Sequence, residues 1–210
     1  SFQKLLESFS SGDVDVLVGT QMVTKGLDFS GVQVVGVVNA DTMLNFPDFR
    51  AYEKSFQQLS QVAGRAGRKD STGKVFIQTS QGGNPILSYV MLNDYNTFFN
   101  NIIEERKQYN YPPYCRMVYL YLRHADSEVV TKASNLLADR LRPRLGKNLL
   151  GPVFPMVARV KNLYIRQLIF KLEKNNALGA QKRFILENAL AIVKEPGLGR
   201  VLVSFDVDPG

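Results

Sequence analysis

Gln61-Val62-Ala63-Gly64-Arg65-Ala66-Gly67-Arg68 is the stretch of this 210-residue chain best suited to chemistry on a charged ligand. Two arginines three residues apart fall on one face of a helix, and the glycines around them let that face approach something bulky. A guanidinium is planar, permanently charged and bidentate, so the ligand that fits is a phosphate chain. The pair can neutralise charge that develops on a transferring phosphoryl group, as an arginine finger does. An Arg-Gly octapeptide can equally be the solvated end of a helix. A second polar segment, Thr20-Gln21-Met22-Val23-Thr24-Lys25-Gly26-Leu27-Asp28, stands upstream, and both segments follow apolar runs.

The elements that must position these residues are legible from periodicity. Phe2 to Phe9 has helical spacing and ends at Ser10-Ser11-Gly12. Val14 to Val18 reads as a buried strand that delivers Thr20 at its carboxyl end, where parallel sheets present ligand-binding loops. Val32 to Val38 reads as a strand covered on both faces. From Asp48 on, with Pro47-Asp48 as a start signal, Phe49, Tyr52, Phe56, Leu59 and Ala63 predict an amphipathic helix carrying Arg65 and Arg68 at its far end. Lys69 to Gly73 is a turn and Lys74 to Thr79 a strand, the order of a parallel α/β layer. Helices are expected over Ile86 to Leu92 and Tyr95 to Lys107, and Tyr109-Asn110-Tyr111-Pro112-Pro113 then stops helical structure.

A domain boundary is placed there, giving 1–109 and 110–210. Beyond it the pattern is strand (Met117 to Arg123), helix (Ser127 to Leu141), strands (Leu149 to Phe154, Tyr164 to Leu172), helix (Ala180 to Val193) and strand (Val201 to Asp208). In the last strand Val201, Val203, Phe205 and Val207 alternate with Leu202, Ser204 and Asp206. That β-α-β-β-α-β order is the split βαβ, ferredoxin-like arrangement, an α+β sheet backed by two helices with one face open. Tyr119 and Tyr121 share a strand face with Arg123. They either stack nucleic-acid bases on the open sheet or pack against a helix.

Composition sets the outer bounds. With 45% hydrophobic residues the chain can fill a core, and no apolar run reaches the roughly 20 residues of a membrane span. No leader-like segment opens it, so a cytoplasmic location is the default. One cysteine, Cys115, and one histidine, His124, leave no metal-ligand spacing; no metal site is expected, and Cys115 reads as a half-buried packing residue. The net charge of +7 is uneven: 1–109 carries 10 Lys+Arg against 11 Asp+Glu, and 110–210 carries 16 against 8. The basic half suggests a surface for a phosphate backbone, or one that merely aids solubility.

The motifs at Thr20 to Asp28 and Gln61 to Arg68 resemble the fifth and sixth motifs of superfamily 2 helicases, which lie in the second of two RecA-like lobes. Adding Phe46-Pro47-Asp48-Phe49-Arg50-Ala51-Tyr52-Glu53, Tyr111-Pro112-Pro113-Tyr114-Cys115-Arg116, Gly151-Pro152, Tyr164-Ile165-Arg166-Gln167 and Asp206-Val207-Asp208-Pro209, nearly the whole chain resembles the C-terminal part of the bacterial replication-restart helicases, the PriA family. Around Phe154 to Leu163 the chain departs from the family's usual alanine-proline pair and glycine.

The resemblance implies an ATP-dependent 3′-to-5′ DNA helicase that binds stalled forks and starts primosome assembly. Its expected setting is the bacterial cytoplasm, at the nucleoid. It implies ATP and Mg²⁺ shared with a first lobe, since no phosphate loop is present, so the chain alone is expected not to hydrolyse ATP. The family's zinc is held by cysteines of an upstream segment, none of them in this chain. Implied partners are forked and single-stranded DNA, single-stranded-DNA-binding protein and primosome-loading proteins, with no membrane.

Residue by residue, the resemblance makes Arg68 the γ-phosphate contact with Arg65 beside it. Gln61 orients the nucleotide or the attacking water, and Gly26 makes a tight turn near the nucleotide. Asp28 either accepts from the ribose or pairs with Arg65. Thr20 and Gln21 hold a DNA phosphate, or else close the turn, and Lys25 adds charge. Arg159, Lys161 and Arg166 are the cations expected on DNA in the second domain. Two other functions compete: a non-catalytic nucleic-acid adaptor, and a lobe of another superfamily 2 translocase. Pro47 to Arg50 and Asp206 to Pro209 argue against the latter.

Overall fold

The computed structural model describes residues 2–20, 32–64 and 73–209 and is a mixed α/β structure. It divides into two compact units, Ser1–Asn101 and Ile102–Gly210.

In the first unit, helix α1 (Phe2–Ser11) ends at Gly12, whose φ of 84° suits the left-handed backbone that closes a helix. Residues 14–20 then have no regular structure, and Val16 and Val18 are 72% and 88% exposed. The expected strand over Val14 to Val18 is therefore absent. An apolar run becomes a strand only where a neighbouring strand accepts its hydrogen bonds, and the ladder that forms joins β1 (Val34–Val37) to β2 (Lys74–Ile77) in parallel, Val34 opposite Lys74. The second expectation for this sheet also needs correction. Val34, Val38 and Phe76 are exposed, so β1 is not covered on both faces. Between the strands lie a short helix α2 (Asp41–Leu44) and the long helix α3 (Ala51–Ala63).

Helix α3 begins three residues after Asp48, whose carboxylate accepts from the Arg50 amide at 2.9 Å and pairs with Lys54 at 2.9 Å. Its buried stripe is Ala51, Ser55, Phe56, Leu59 and Val62, rotated from the expected one: Tyr52 is exposed and Val62 is inside. Phe56 stacks on Phe98 with centroids 4.3 Å apart, tying α3 to helix α5 (Tyr95–Gln108). Helix α4 (Pro85–Met91) packs on α3 through Ile86, Leu87 and Val90. Asn84 caps it by accepting from the Ile86 amide at 3.1 Å, with Pro85 in the first helical position, where its missing donor costs nothing.

The second unit holds a single antiparallel sheet. Its strands are β3 (Cys115–His124), β4 (Leu149–Val153), the two-residue β5 (Arg159–Val160), β6 (Leu163–Glu173) and β7 (Leu202–Val207). They stand in the order β4-β6-β3-β7, with β5 also on β6. Helices α6 (Ser127–Leu145) and α7 (Leu178–Ile192) cover one face. Val118, Leu120 and Leu122 of β3, with Leu168 and Phe170 of β6, meet Leu137, Leu141, Ile185 and Ile192 of the helices in a closed core. Asp126 caps α6, its carboxylate accepting from the Glu128 amide at 2.8 Å.

Candidate nucleic-acid interface

Of the residues read as chemical in the first unit, Gln21, Lys25, Gly26, Asp28, Arg65 and Arg68 lie outside the described residues. Thr20 is exposed at the end of irregular chain, and Gln61 is exposed on the last turn of α3, immediately before the arginine pair. The carboxyl ends of β1 and β2 are stapled together. Asp41 accepts from the Ser80 amide at 2.9 Å and hydroxyl at 2.5 Å, and from the Thr79 hydroxyl. Those hydroxyls, Ser80 first, hold its carboxyl below the usual carboxylate range.

In the second unit the structure brings Arg159, Lys161 and Arg166 to one place. Val160 faces Leu163 across a two-residue turn, and Lys161 and Asn162 both have positive φ, 48° and 63°. Those angles are the signature of the type I′ hairpin, whose twist matches its strands. Strand pairing sets Arg159 opposite Tyr164, and alternation along β6 puts Arg166 on the same face as Tyr164. The guanidinium of Arg159 lies 4.8 Å from the Tyr164 ring centre, and that of Arg166 lies 4.2 Å from the ring centre of Phe154. Arg142, from the last turn of α6, donates to the Gly151 carbonyl at 2.8 Å, one residue from the Pro152 carbonyl that Arg166 reaches at 3.5 Å. Among the described residues no carboxylate pairs with Arg142, Arg159, Lys161 or Arg166. The sequence explains why: residues 140–172 contain eight Lys+Arg and not one Asp or Glu.

That acid-free run was available from the sequence as a signal and points at this edge directly. The aromatic partners Phe154 and Tyr164 carried no such signal. Their roles depend on the hairpin turn, which has no glycine to advertise it.

On the opposite face of the sheet, Tyr119 and Tyr121 pack edge to face, centroids 6.2 Å apart at 88°. They alternate with the core residues Val118, Leu120 and Leu122 and so lie on the face away from α6 and α7. Arg123 donates to Ser204 at 2.8 Å and lies 5.5 Å from the Tyr121 ring centre. Burial first, then Asp206, pushes the Tyr121 phenol up, against the pull of Arg123. One end of this face is closed by residues 109–114. Lys171 donates to the Tyr109 carbonyl at 2.8 Å and sits 3.6 Å from the Tyr111 ring centre. Cys115 is more deeply buried than expected, at 1% exposure, and its thiol donates to the Asn110 carbonyl at 3.1 Å. Burial pushes that thiol up, so it is a poor nucleophile.

Among the described residues no group of three His, Cys, Asp or Glu is placed to hold a metal ion, and no helix is long and apolar enough to cross a membrane.

Comparison with known proteins gives the class. Residues 2–70 match the helicase conserved C-terminal domain, and residues 107–210 match the primosomal protein N C-terminal domain. The chain is 36% identical over 209 residues to the replication restart protein PriA of Bacillus subtilis, covering 99% of this chain and 26% of that protein. It is 40% identical over 170 residues to PriA of Synechocystis, covering 80% and 20%, and 34% identical over 210 residues to PriA of Treponema pallidum, covering 99% and 31%. The chain belongs to the PriA replication restart family. It spans about a quarter of the length of the Bacillus relative.

Proposed function

We propose that the chain is the C-terminal part of an ATP-dependent 3′-to-5′ DNA helicase that binds stalled replication forks and starts primosome assembly. The observation that carries this reading is family membership along nearly the whole chain, through both units. In the reading, 1–109 is the C-terminal part of a second RecA-like lobe, which the parallel β1–β2 pair supports. The 110–210 region is a ferredoxin-like domain, supported by the β4-β6-β3-β7 order and the two helices on one face.

Arg65 and Arg68 would meet the phosphates of ATP, with Gln61 one turn away and Gly26 and Asp28 beside the nucleotide. When bound, ATP with Mg²⁺ supplies the phosphoryl group whose developing charge the arginines offset. No hydrolysis is assigned to this chain alone. Thr20, Gln21 and Lys25 would touch DNA in the motor, and Arg159, Lys161 and Arg166 in the C-terminal domain. The last three are supported by their convergence at one hairpin with no paired carboxylate. The working partners are forked and single-stranded DNA, single-stranded-DNA-binding protein and primosome-loading proteins, in the bacterial cytoplasm at the nucleoid.

The test is Arg68→Ala in the full-length protein. Loss of an arginine that stabilises the phosphoryl transition state costs about 10³-fold or more in hydrolysis, so unwinding should disappear while fork binding persists. Unwinding at the wild-type rate would overturn the motor reading and leave the chain a nucleic-acid adaptor.

A further inference from the structure

We infer that the edge built from β4 and the β5–β6 hairpin is a stacking platform for unpaired bases, with Phe154 as the ring a base lies on and Arg166 as the cation behind it. The inference rests on the DNA-binding reading of Arg159, Lys161 and Arg166 and makes that site selective for single strands.

Phe154 follows β4 directly and is 58% exposed although it is aromatic and apolar. Its neighbours in sequence, Met156 at 64% and Val157, are exposed as well, and Val160 continues the apolar strip into the hairpin. A soluble surface does not ordinarily line up four such groups beside four cations. The arrangement is not a spare piece of core either: Tyr164 packs on the closed core beneath the helices, whereas Phe154, Met156 and Val157 stand outside it. Arg166 holds a position over one side of the ring at 4.2 Å. Its Nε is buried with no hydrogen-bond partner, and its Nη2 makes only the long contact to Pro152. The terminal nitrogens of the guanidinium, rather than the buried Nε, thus keep donor capacity for an arriving oxygen. Arg159 over Tyr164 repeats the cation-on-ring unit along the same face, and Lys161 stands exposed at the turn.

Cations without carboxylates select a polyanion, and the exposed flat ring of Phe154 among them selects one whose flat groups are accessible. In duplex DNA the bases are stacked on one another and only phosphates face outward. In a single strand the bases are free to lie on aromatic side chains, and stacking of that kind is indifferent to sequence. The occupant is therefore single-stranded DNA, whose phosphates meet Arg142, Arg159, Lys161 and Arg166.

The experiment measures binding of the 210-residue chain by fluorescence anisotropy to three probes of roughly 12 nucleotides: oligo-thymidine, an abasic strand of equal charge, and a duplex. The wild type should prefer oligo-thymidine to the abasic strand by about tenfold. Phe154→Ala should remove that preference and leave abasic and duplex binding unchanged. Phe154→Leu, which keeps apolar area without a flat ring, should behave like Ala, and Phe154→Tyr should restore the preference. Circular dichroism checks each variant for folding, and an exposed side chain gives little reason for any to fail.

If the Phe154 variants discriminate as the wild type does, the platform idea is wrong. In that case, weakened binding to all three probes in Arg159→Ala/Lys161→Ala would still uphold the DNA contact. No binding to any probe by the wild type defeats both. Capture of a short acidic, apolar peptide without preference for bases over the abasic strand would reassign the edge to protein docking.

Discussion

Lys161 occupies backbone that glycine or asparagine would take with less strain. Its φ of 48° is left-handed, a region that costs an ordinary L-residue about 1 kcal/mol or more, while the adjacent Asn162, at 63°, is among the residues that tolerate it. A lysine at the tip of a charged hairpin exchanges stability for a cation. Lys161→Gly should therefore raise stability by about 0.5–1 kcal/mol and weaken DNA binding at once; urea unfolding and anisotropy on the same sample check both signs. A variant that is no more stable would contradict the strain argument. Asp208 is the opposite case, a charge held for structure. Burial pushes its carboxyl up, but Arg116 and the Met117 amide donate to it, and with the nearby positive charge they win, holding it below the ordinary value. A carboxyl lowered on folding contributes stability above its unfolded value of about 4 and loses it as pH falls through the folded one. Asp208→Asn should lower stability at pH 7 and flatten the decline between about pH 4 and pH 2, measured by urea midpoints across that range.

At the scale of elements, β4 is placed by Gly151. Its φ is 92°, and a Cβ there would stand 2.8 Å from the Gln167 carbonyl and 3.0 Å from the Val153 amide, both backbone atoms that cannot swing aside. Gly151→Ala should cost about 1–3 kcal/mol and loosen β4 from β6, read as a lower urea midpoint with faster amide exchange in β4. Unchanged exchange would mean that the strand absorbs the methyl group. The sheet around β4 was largely legible beforehand. Strands β3 and β6 alternate and α6 and α7 have a buried stripe, which carries burial information that any reader of the sequence can use, whereas β7 alternates in sequence yet leaves Phe205 and Val207 exposed. Residues 14–18 were not legible for the same reason inverted: a continuous apolar run states that a strand would be buried but not what would pair with it. The phase of α3 is ambiguous in the sequence because Tyr52 and Val62 are both apolar enough to face inward, and packing against α4 and Phe98 decides it. Strand β5, at two residues, lies below what any periodicity can show. The sequence therefore lists Arg159, Lys161 and Arg166 without a reason for them to meet, and it carries no signal for Phe154.

For the molecule as a whole, the distribution of charge locates the polyanion surface better than its total does. The net charge of +7 belongs to 110–210, and within that part the excess concentrates in the acid-free 140–172. Each cation that neutralises a phosphate releases condensed counterions, so affinity for a single strand falls with salt at about 0.7 logarithmic units per contact, and for a duplex at about 0.9. If Arg142, Arg159, Lys161 and Arg166 are the contacts, the single-strand slope is about −3. Arg159→Ala and Lys161→Ala should then each make it shallower by about 0.7. Arg140 provides the control, since it sits on the same helix as Arg142 but is already paired with Glu195 at 2.5 Å. Its removal should leave the slope where it was. A general basic field would instead respond to all three substitutions alike, because a diffuse surface makes no distinction between a paired cation and a free one. Anisotropy titrations over a series of salt concentrations separate the two cases, and an equal response from Arg140→Ala would dissolve the hairpin site into a surface of no particular place.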